Sequence, residues 1–231
     1  MDTYSTTFEI EKAPHPLAIL GIGAIEQHSR HLPISTDYDI AVALSQAVAE
    51  RLQAFLLPPL PYSDSLVHRG FAGTVYVRPL TLRQLIHDIA ESLGEWKVRH
   101  LGILNCHGGN FILNPTIREW NLDCRQPQLL HVEVYEGLRD VMGPNLHACE
   151  VETSLMLYLK PEVVRMERAV DFIPPHPRSD LSHLSMKTLS SQGVWGYPTK
   201  ATAEKGKAFF DTLVKYCASR IQELKNQFTP P

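Results

Sequence analysis

The stretch His100–Leu122, HLGILNCHGGNFILNPTIREWNL, decides the fold. Leu101–Leu104 (LGIL) is an apolar run, as in a strand buried on both faces, and from Ile112 onward the apolar residues take helical spacing. Between them CHGGN is polar and glycine-rich, so strand passes to helix through a short loop. The same order stands upstream. Pro16–Gly23 (PLAILGIG) is an apolar run ending in glycine, EQHSRHLPISTD (Glu26–Asp37) is a loop, and Tyr38–Leu52 has helical spacing with Asp37 or Asp39 placed to cap it. AFLLPPLPY (54–62) reads as a strand stopped by prolines, Phe71–Val77 as a short strand, and Leu80–Val98 as an amphipathic helix. Leu129–Tyr135 reads as a further strand, and Val151–Leu159 and Ala203–Lys225 as helices. Strands alternating with helices imply a largely parallel sheet covered on both faces, here a single three-layer α/β/α domain spanning residues 1–231. Ligands of such sheets sit beyond the carboxyl ends of the strands. The aperiodic stretch Asp171–Leu184 (DFIPPHPRSDLSHL) reads as a long surface loop of the kind that often carries function.

Composition narrows the function. Hydrophobic residues make up 44% and charged residues 20%, enough for a core without disulfides. Formal charge is -3, from 22 basic and 25 acidic residues with no basic run, so neither nucleic acid nor an anionic membrane is expected as partner. Cys106, Cys124, Cys149 and Cys217 form no CxxC pair, which suits reduced thiols. MDTYSTTFEIEK lacks the cationic and apolar parts of a secretory signal, and the apolar run Leu17–Ile25 is too short to span a membrane. The expectation is a cytoplasmic protein.

The 11 histidines cluster beside acids and glycines. Glu26, His28, His31 and Asp37 follow a strand. A carboxylate and an imidazole two residues apart on extended chain point roughly the same way, so each can serve a different ion of a pair. The plain alternative is a polar loop with a helix cap. In Asn105–Asn110 (NCHGGN), the glycines after His107 let the backbone N–H groups of Gly108 and Gly109 approach a ligand's negative charge; the alternative is an ordinary glycine turn. In HACEVETS (His147–Ser154), Glu152 offers a ligand and His147 or Glu150 a proton-transfer group; the alternative is an acidic first helical turn that complements the dipole. Each cluster sits at a strand end or helix start, where this fold gathers residues.

These stretches resemble the creatininase family. EQHSRHLPISTD is similar to its EQHGPHLPLxTD, NCHGGN to NGHGGN, and HACEVETS to HAGxxETS; HRGFAGT (His68–Thr74) and GVWGYPTKATAEKG (Gly193–Gly206) are similar to HxxFPGT and GVxGDPxxATxEKG. The motifs stand in the family's order over about residues 16 to 206. The resemblance implies that Glu26, His28, Asp37 and His107 ligate two divalent ions, with Asp37 bridging. Creatininase itself draws one carboxylate from the position where this chain has Gly109, so Glu152 is the implied replacement; His147 matches a proton-transfer histidine. Ser29, Arg30, Cys106, Cys149 and Tyr197 depart from the pattern. Cys106 and Cys149 read as small buried residues. His68 reads equally as pocket lining or loop, Trp195 as packing, and Arg30 and Arg69 as solvated.

The resemblance implies a dinuclear amidohydrolase in which metal-activated water cleaves a C–N bond. Zn is expected first, with Mn or Fe open. A small cyclic amide or formamide is the first expected substrate, and a cofactor-precursor peptide the second. A non-catalytic anion-binding protein is the alternative from another class. Family members commonly form hexamers, which implies a homo-oligomer.

Overall fold

Side chains alternate between the two faces of a strand, and here both faces are apolar, so the sheet needs cover on each side. The computed structural model describes residues 1–12 and 16–228. Strands β1 (Leu17–Ile22), β2 (Phe55–Leu56), β3 (His100–Asn105) and β4 (Gln128–Glu133) form one sheet in the order β2-β1-β3-β4, with every pairing parallel. The helices are α1 (Thr7–Lys12), α2 (Thr36–Leu52), α3 (Pro79–Glu95), α4 (Leu113–Leu122), α5 (Arg139–Met142), α6 (Glu150–Leu159), α7 (Met186–Leu189) and α8 (Ala203–Gln227). Leu17, Ile19, Leu104, Leu130 and Val132 pack against α2, α6 and α8 through Leu44, Leu155 and Leu213. Ala18, Leu20, Leu101, Ile103 and Leu129 face the other way, onto Leu82 and Ile86 of α3 and Ile117 and Trp120 of α4. Each fully buried Leu or Ile contributes roughly 1.5–3 kcal/mol. The three-layer α/β/α reading holds, and the sheet among the described residues is wholly parallel.

Three local expectations are corrected. α2 starts at Thr36 with Ser35 as its N-cap, so Asp37 is not a cap but lies in the first turn. The reason is the preceding turn: the Thr36 N–H and hydroxyl both donate to the Pro33 carbonyl, at 3.2 and 2.7 Å, which winds the chain early. Phe71–Val77 forms no strand. It crosses the strand ends, making one bridge from Val75 to Ile25, while the Thr74 hydroxyl accepts from the Gln27 N–H at 3.1 Å. β4 stops at Glu133, and Val134–Leu138 coils into a 3₁₀ turn.

Candidate metal centre

Beyond the carboxyl ends of β1 and β3 the chain delivers five buried side chains to one place. Glu26 and His28 come from the loop after β1, Asp37 from the first turn of α2, His107 from the turn after β3, and Glu152 from the first turn of α6. Asp37 stands between two imidazoles, with Oδ1 3.2 Å from His28 Nε2 and Oδ2 3.0 Å from His107 Nδ1. Glu26 Oε2 lies 3.4 Å from the same His107 nitrogen, and Glu152 Oε1 lies 4.0 Å from His28 Nε2. Ligand atoms of Glu26, Asp37 and His107 fall within 4.8 Å of one another, as do those of His28, Asp37 and Glu152. These are two half-sites that share Asp37.

The other nitrogen of each imidazole is engaged. His107 Nε2–H donates to the Asp64 carbonyl at 3.1 Å, and His28 Nδ1–H to the Glu26 carbonyl at 3.2 Å. These partners hold the far protons, so that His107 Nδ1 and His28 Nε2, which face the carboxylates, are the nitrogens that offer lone pairs once their own protons are displaced. Glu152 is steered likewise, its Oε2 accepting from the Cys149 N–H at 3.3 Å. Gly109 has no room for a side chain, since a Cβ there would lie 2.4 Å from His107 Nε2 and 2.7 Å from the Asp64 oxygen.

Glu26 tests whether metal fits. Its carboxylate is fully buried, yet neither oxygen accepts a hydrogen bond among the described residues. A buried charge so placed costs several kcal/mol unless a cation meets it, and in the metal-free chain the His107 imidazolium, 3.4 Å away, is that cation. Three carboxylates and two imidazoles, held by their far nitrogens, suit two divalent ions with mixed nitrogen and oxygen preference. A third metal-like grouping, Glu26 with His28 and His147, reuses residues of the first two.

The charges explain the protonation of the site. Burial holds the His28 imidazole down, but Asp37, then Glu152 and Glu26, outweigh it and raise it to about 9. His107 is raised well above the usual range in the same way, by Glu26 and Asp37 against burial. Burial lifts Glu152 to about 7, with His28 opposing. In chelator-treated protein the folded state therefore keeps protons that unfolded histidines release near 6.5. That stability is fully present below pH 6.5 and is lost as pH rises through about 9. Metal must displace those protons, so loading grows more favourable over the same window. The gap in melting temperature between metal-loaded and chelated protein is expected to widen from about pH 6.5 to pH 9. A flat or narrowing gap in differential scanning calorimetry would mean that other groups are displaced.

A cavity of about 750 Å³ opens onto the centre, lined by Glu26, Asp37, His107 and Glu152 among others. His147 lines it too. Its Nε2 lies 2.8 Å from the Gln27 carbonyl oxygen, leaving Nδ1 3.6 Å from Glu26 Oε1. Burial, then His28, holds this imidazole well below its usual range, so it is neutral. Gly108 and Gly109 line the same cavity, and among the described residues neither backbone N–H has an acceptor. Glu150 is not brought there. Its carboxylate accepts from Lys205 of α8 at 2.7 Å and does not line the cavity, which removes it as a proton donor at the centre.

His68 belongs to the site, with Nε2 3.3 Å from Glu26 Oε1. Trp195 lines the cavity while packing on Met186 and Leu189. Cys106 and Cys149 are buried in the core, as expected. His31 turns away to the Thr153 hydroxyl, at 2.9 Å. Arg30, Arg69 and Tyr197 lie outside this cavity's walls. Gln27, Asp64 and Asn110 also support the site, though no spacing or motif marks a role for them. The Gln27 amide lies 2.9 Å from His68 Nδ1, and Asn110 Oδ1 accepts from the Asp64 N–H at 3.0 Å, setting the carbonyl that faces His107.

The family model described as Creatininase, creatinine amidohydrolase, matches residues 3–221. The chain is 32% identical over 224 residues to a mycofactocin precursor peptide peptidase of Mycobacterium ulcerans, covering 89% of this chain and 84% of that one. It is 28% identical over 233 residues to a creatinine amidohydrolase of Pseudomonas putida, covering 89% and 88%. A crystal structure of creatinine amidohydrolase superposes with a TM-score of 0.82 at 25% identity, over 100% of this chain and 98% of that one. A creatininase described as of Zn-Zn type gives the same score and identity over 99% and 98%. One described as Mn gives 0.82 at 24% identity, over 99% of each chain.

Proposed function

The chain belongs to the creatininase family, and on that footing we propose that it is a divalent-metal-dependent amidohydrolase. Glu26, Asp37 and His107 hold one ion, and His28, Asp37 and Glu152 the other, with zinc first and manganese or iron as alternatives. One observation carries this reading: a single buried carboxylate, Asp37, presents a different oxygen to each of two tautomer-fixed imidazoles. When bound, such ions supply Lewis acidity and a water whose pKa falls from 15.7 toward about 7. The residues do the rest. The unsatisfied N–H groups of Gly108 and Gly109 stabilise the oxyanion that develops on the attacked carbonyl. His147, neutral and open at Nδ1, takes a proton at the cavity wall and returns it to the leaving nitrogen.

Cavity size bears on the substrate. A small cyclic amide or formamide leaves most of about 750 Å³ unfilled, whereas a peptide segment occupies it. Similarity to a protein described as a precursor peptide peptidase supports the same order. We therefore place a peptide amide first and a small cyclic amide or formamide second. Among the described residues no helix is long and apolar enough to cross a membrane. A cytoplasmic homo-oligomer, hexameric by resemblance, completes the proposal.

The test is elemental analysis of the native protein beside a Glu26→Ala, His107→Ala double variant. About two equivalents of metal in the first, falling to about one in the second, is the expected result, because Glu26 and His107 serve the same half-site. No metal in either after reconstitution would leave the anion-binding alternative standing.

A further inference from the structure

Two arginines line the cavity, and they differ in one respect. Arg139 is ion-paired with Glu136. Arg178, at the start of the 3₁₀ turn Arg178–Ser182, has neither a hydrogen-bond nor an ion-pair partner among the described residues. Its Nη2 stands 3.6 Å from where a Cβ on Gly108 would be, so the guanidinium lies over the turn whose two amide N–H groups also lack acceptors. Glu133 is close enough to feel its charge, but that carboxylate accepts from Asn105 at 2.8 Å and is not within ion-pairing distance of Arg178. The turn is pinned from within, His176 Nδ1 lying 3.0 Å from Asp180 Oδ2 and the Asp180 N–H donating to the Pro177 carbonyl at 3.1 Å.

A planar guanidinium is suited to a carboxylate, which it grips with two parallel N–H bonds. An unengaged guanidinium on the cavity wall, beside the Gly108–Gly109 turn whose amides serve the oxyanion, makes a place for a second anion next to the carbonyl that the centre attacks. We propose that Arg178 is the specificity-determining residue of this enzyme and takes a carboxylate lying within a residue or so of the scissile bond. The substrate class is thereby an amide or peptide with a free carboxylate close to the cleaved C–N bond. The inference rests on the amidohydrolase reading above and narrows it, since a neutral ring amide offers Arg178 nothing.

The probes are N-acetyl-alanyl-alanine and its C-terminal amide, titrated calorimetrically into zinc-loaded native protein, Arg178→Leu and Arg178→Lys, with free amine assayed in the same samples. Arg178 is exposed on its turn, and unchanged metal content and melting temperature would establish that the variants fold. The native protein is expected to bind the acid at least about tenfold more tightly than the amide, Arg178→Leu to lose that preference, and Arg178→Lys to keep part of it. Equal binding of acid and amide by the native protein overturns the proposal, as does binding of neither. A preference that survives in Arg178→Leu also overturns it, because the carboxylate is then on the ions. A preference lost with Arg178, but with no amine released from either peptide, keeps the carboxylate subsite and counts against the hydrolase reading instead.

Discussion

Asp37→Ala is expected to strip both ions from the protein and to lower turnover by at least about a thousandfold, beyond the 10–100-fold typical when only a group behind a ligand is lost. Asp37 is the one side chain common to both half-sites, with Oδ1 at His28 and Oδ2 at His107. Glu26→Ala removes a ligand from one half only, and Glu152→Ala from the other. Each single variant should therefore retain close to one equivalent, while Asp37→Ala retains little. Asp37→Asn separates charge from shape, because one oxygen remains to serve one half and the amide nitrogen cannot ligate the other. The measurement is metal content by elemental analysis after dialysis against a weak chelator, read beside peptide-amide turnover. Two equivalents retained in Asp37→Ala would show that the halves do not depend on a shared carboxylate and would sink the dinuclear reading.

What the sequence disclosed follows from how each feature works. β3 was legible because a short apolar run, Leu101–Leu104, that breaks into a polar glycine loop suits a buried strand and is too short for a buried helix. The candidate ligands were legible because they fall in short, dense clusters at strand ends and helix starts. Phe71–Val77 misled because aromatic and β-branched residues also suit a segment that lies across strand ends, and local pattern does not say which. Asp64 was illegible in principle, since it acts through its backbone carbonyl, which any residue carries. Glu150 was separable from Glu152. A helix turns about 100° per residue, so acids two apart project to nearly opposite sides. Only Glu152 faces the centre, while Glu150 meets Lys205.

Gly206, near the end of the last sequence motif, is where the largest effect on stability is expected. A glycine in a helix is normally improved by alanine, by about 1 kcal/mol of helix propensity. Here the sign should reverse. A Cβ on Gly206 would lie 1.8 Å from the Ser154 carbonyl oxygen, 2.5 Å from its carbon and 2.9 Å from Tyr158 Cβ, so α8 touches the backbone of α6. Backbone cannot rotate aside as a flexible side chain does, so the helices must separate. That breaks the packing of Leu213 and Leu155 in the shared core and the bond from the Thr202 N–H to the Ser154 hydroxyl, at 3.2 Å. Overpacking of this kind costs about 3 kcal/mol. In a chain of this size, that corresponds to a fall in melting temperature of roughly 6–12 °C. Glu152 stands two residues before the contact, so its half-site should loosen while the half built on Glu26 and His107 keeps its ion. Thermal melts of Gly206→Ala beside Lys207→Ala, an exposed neighbour expected to change stability by less than about 0.5 kcal/mol, separate the two accounts. If Gly206→Ala melts at or above the native temperature, helix propensity has prevailed and the close contact between α6 and α8 does not set the position of Glu152.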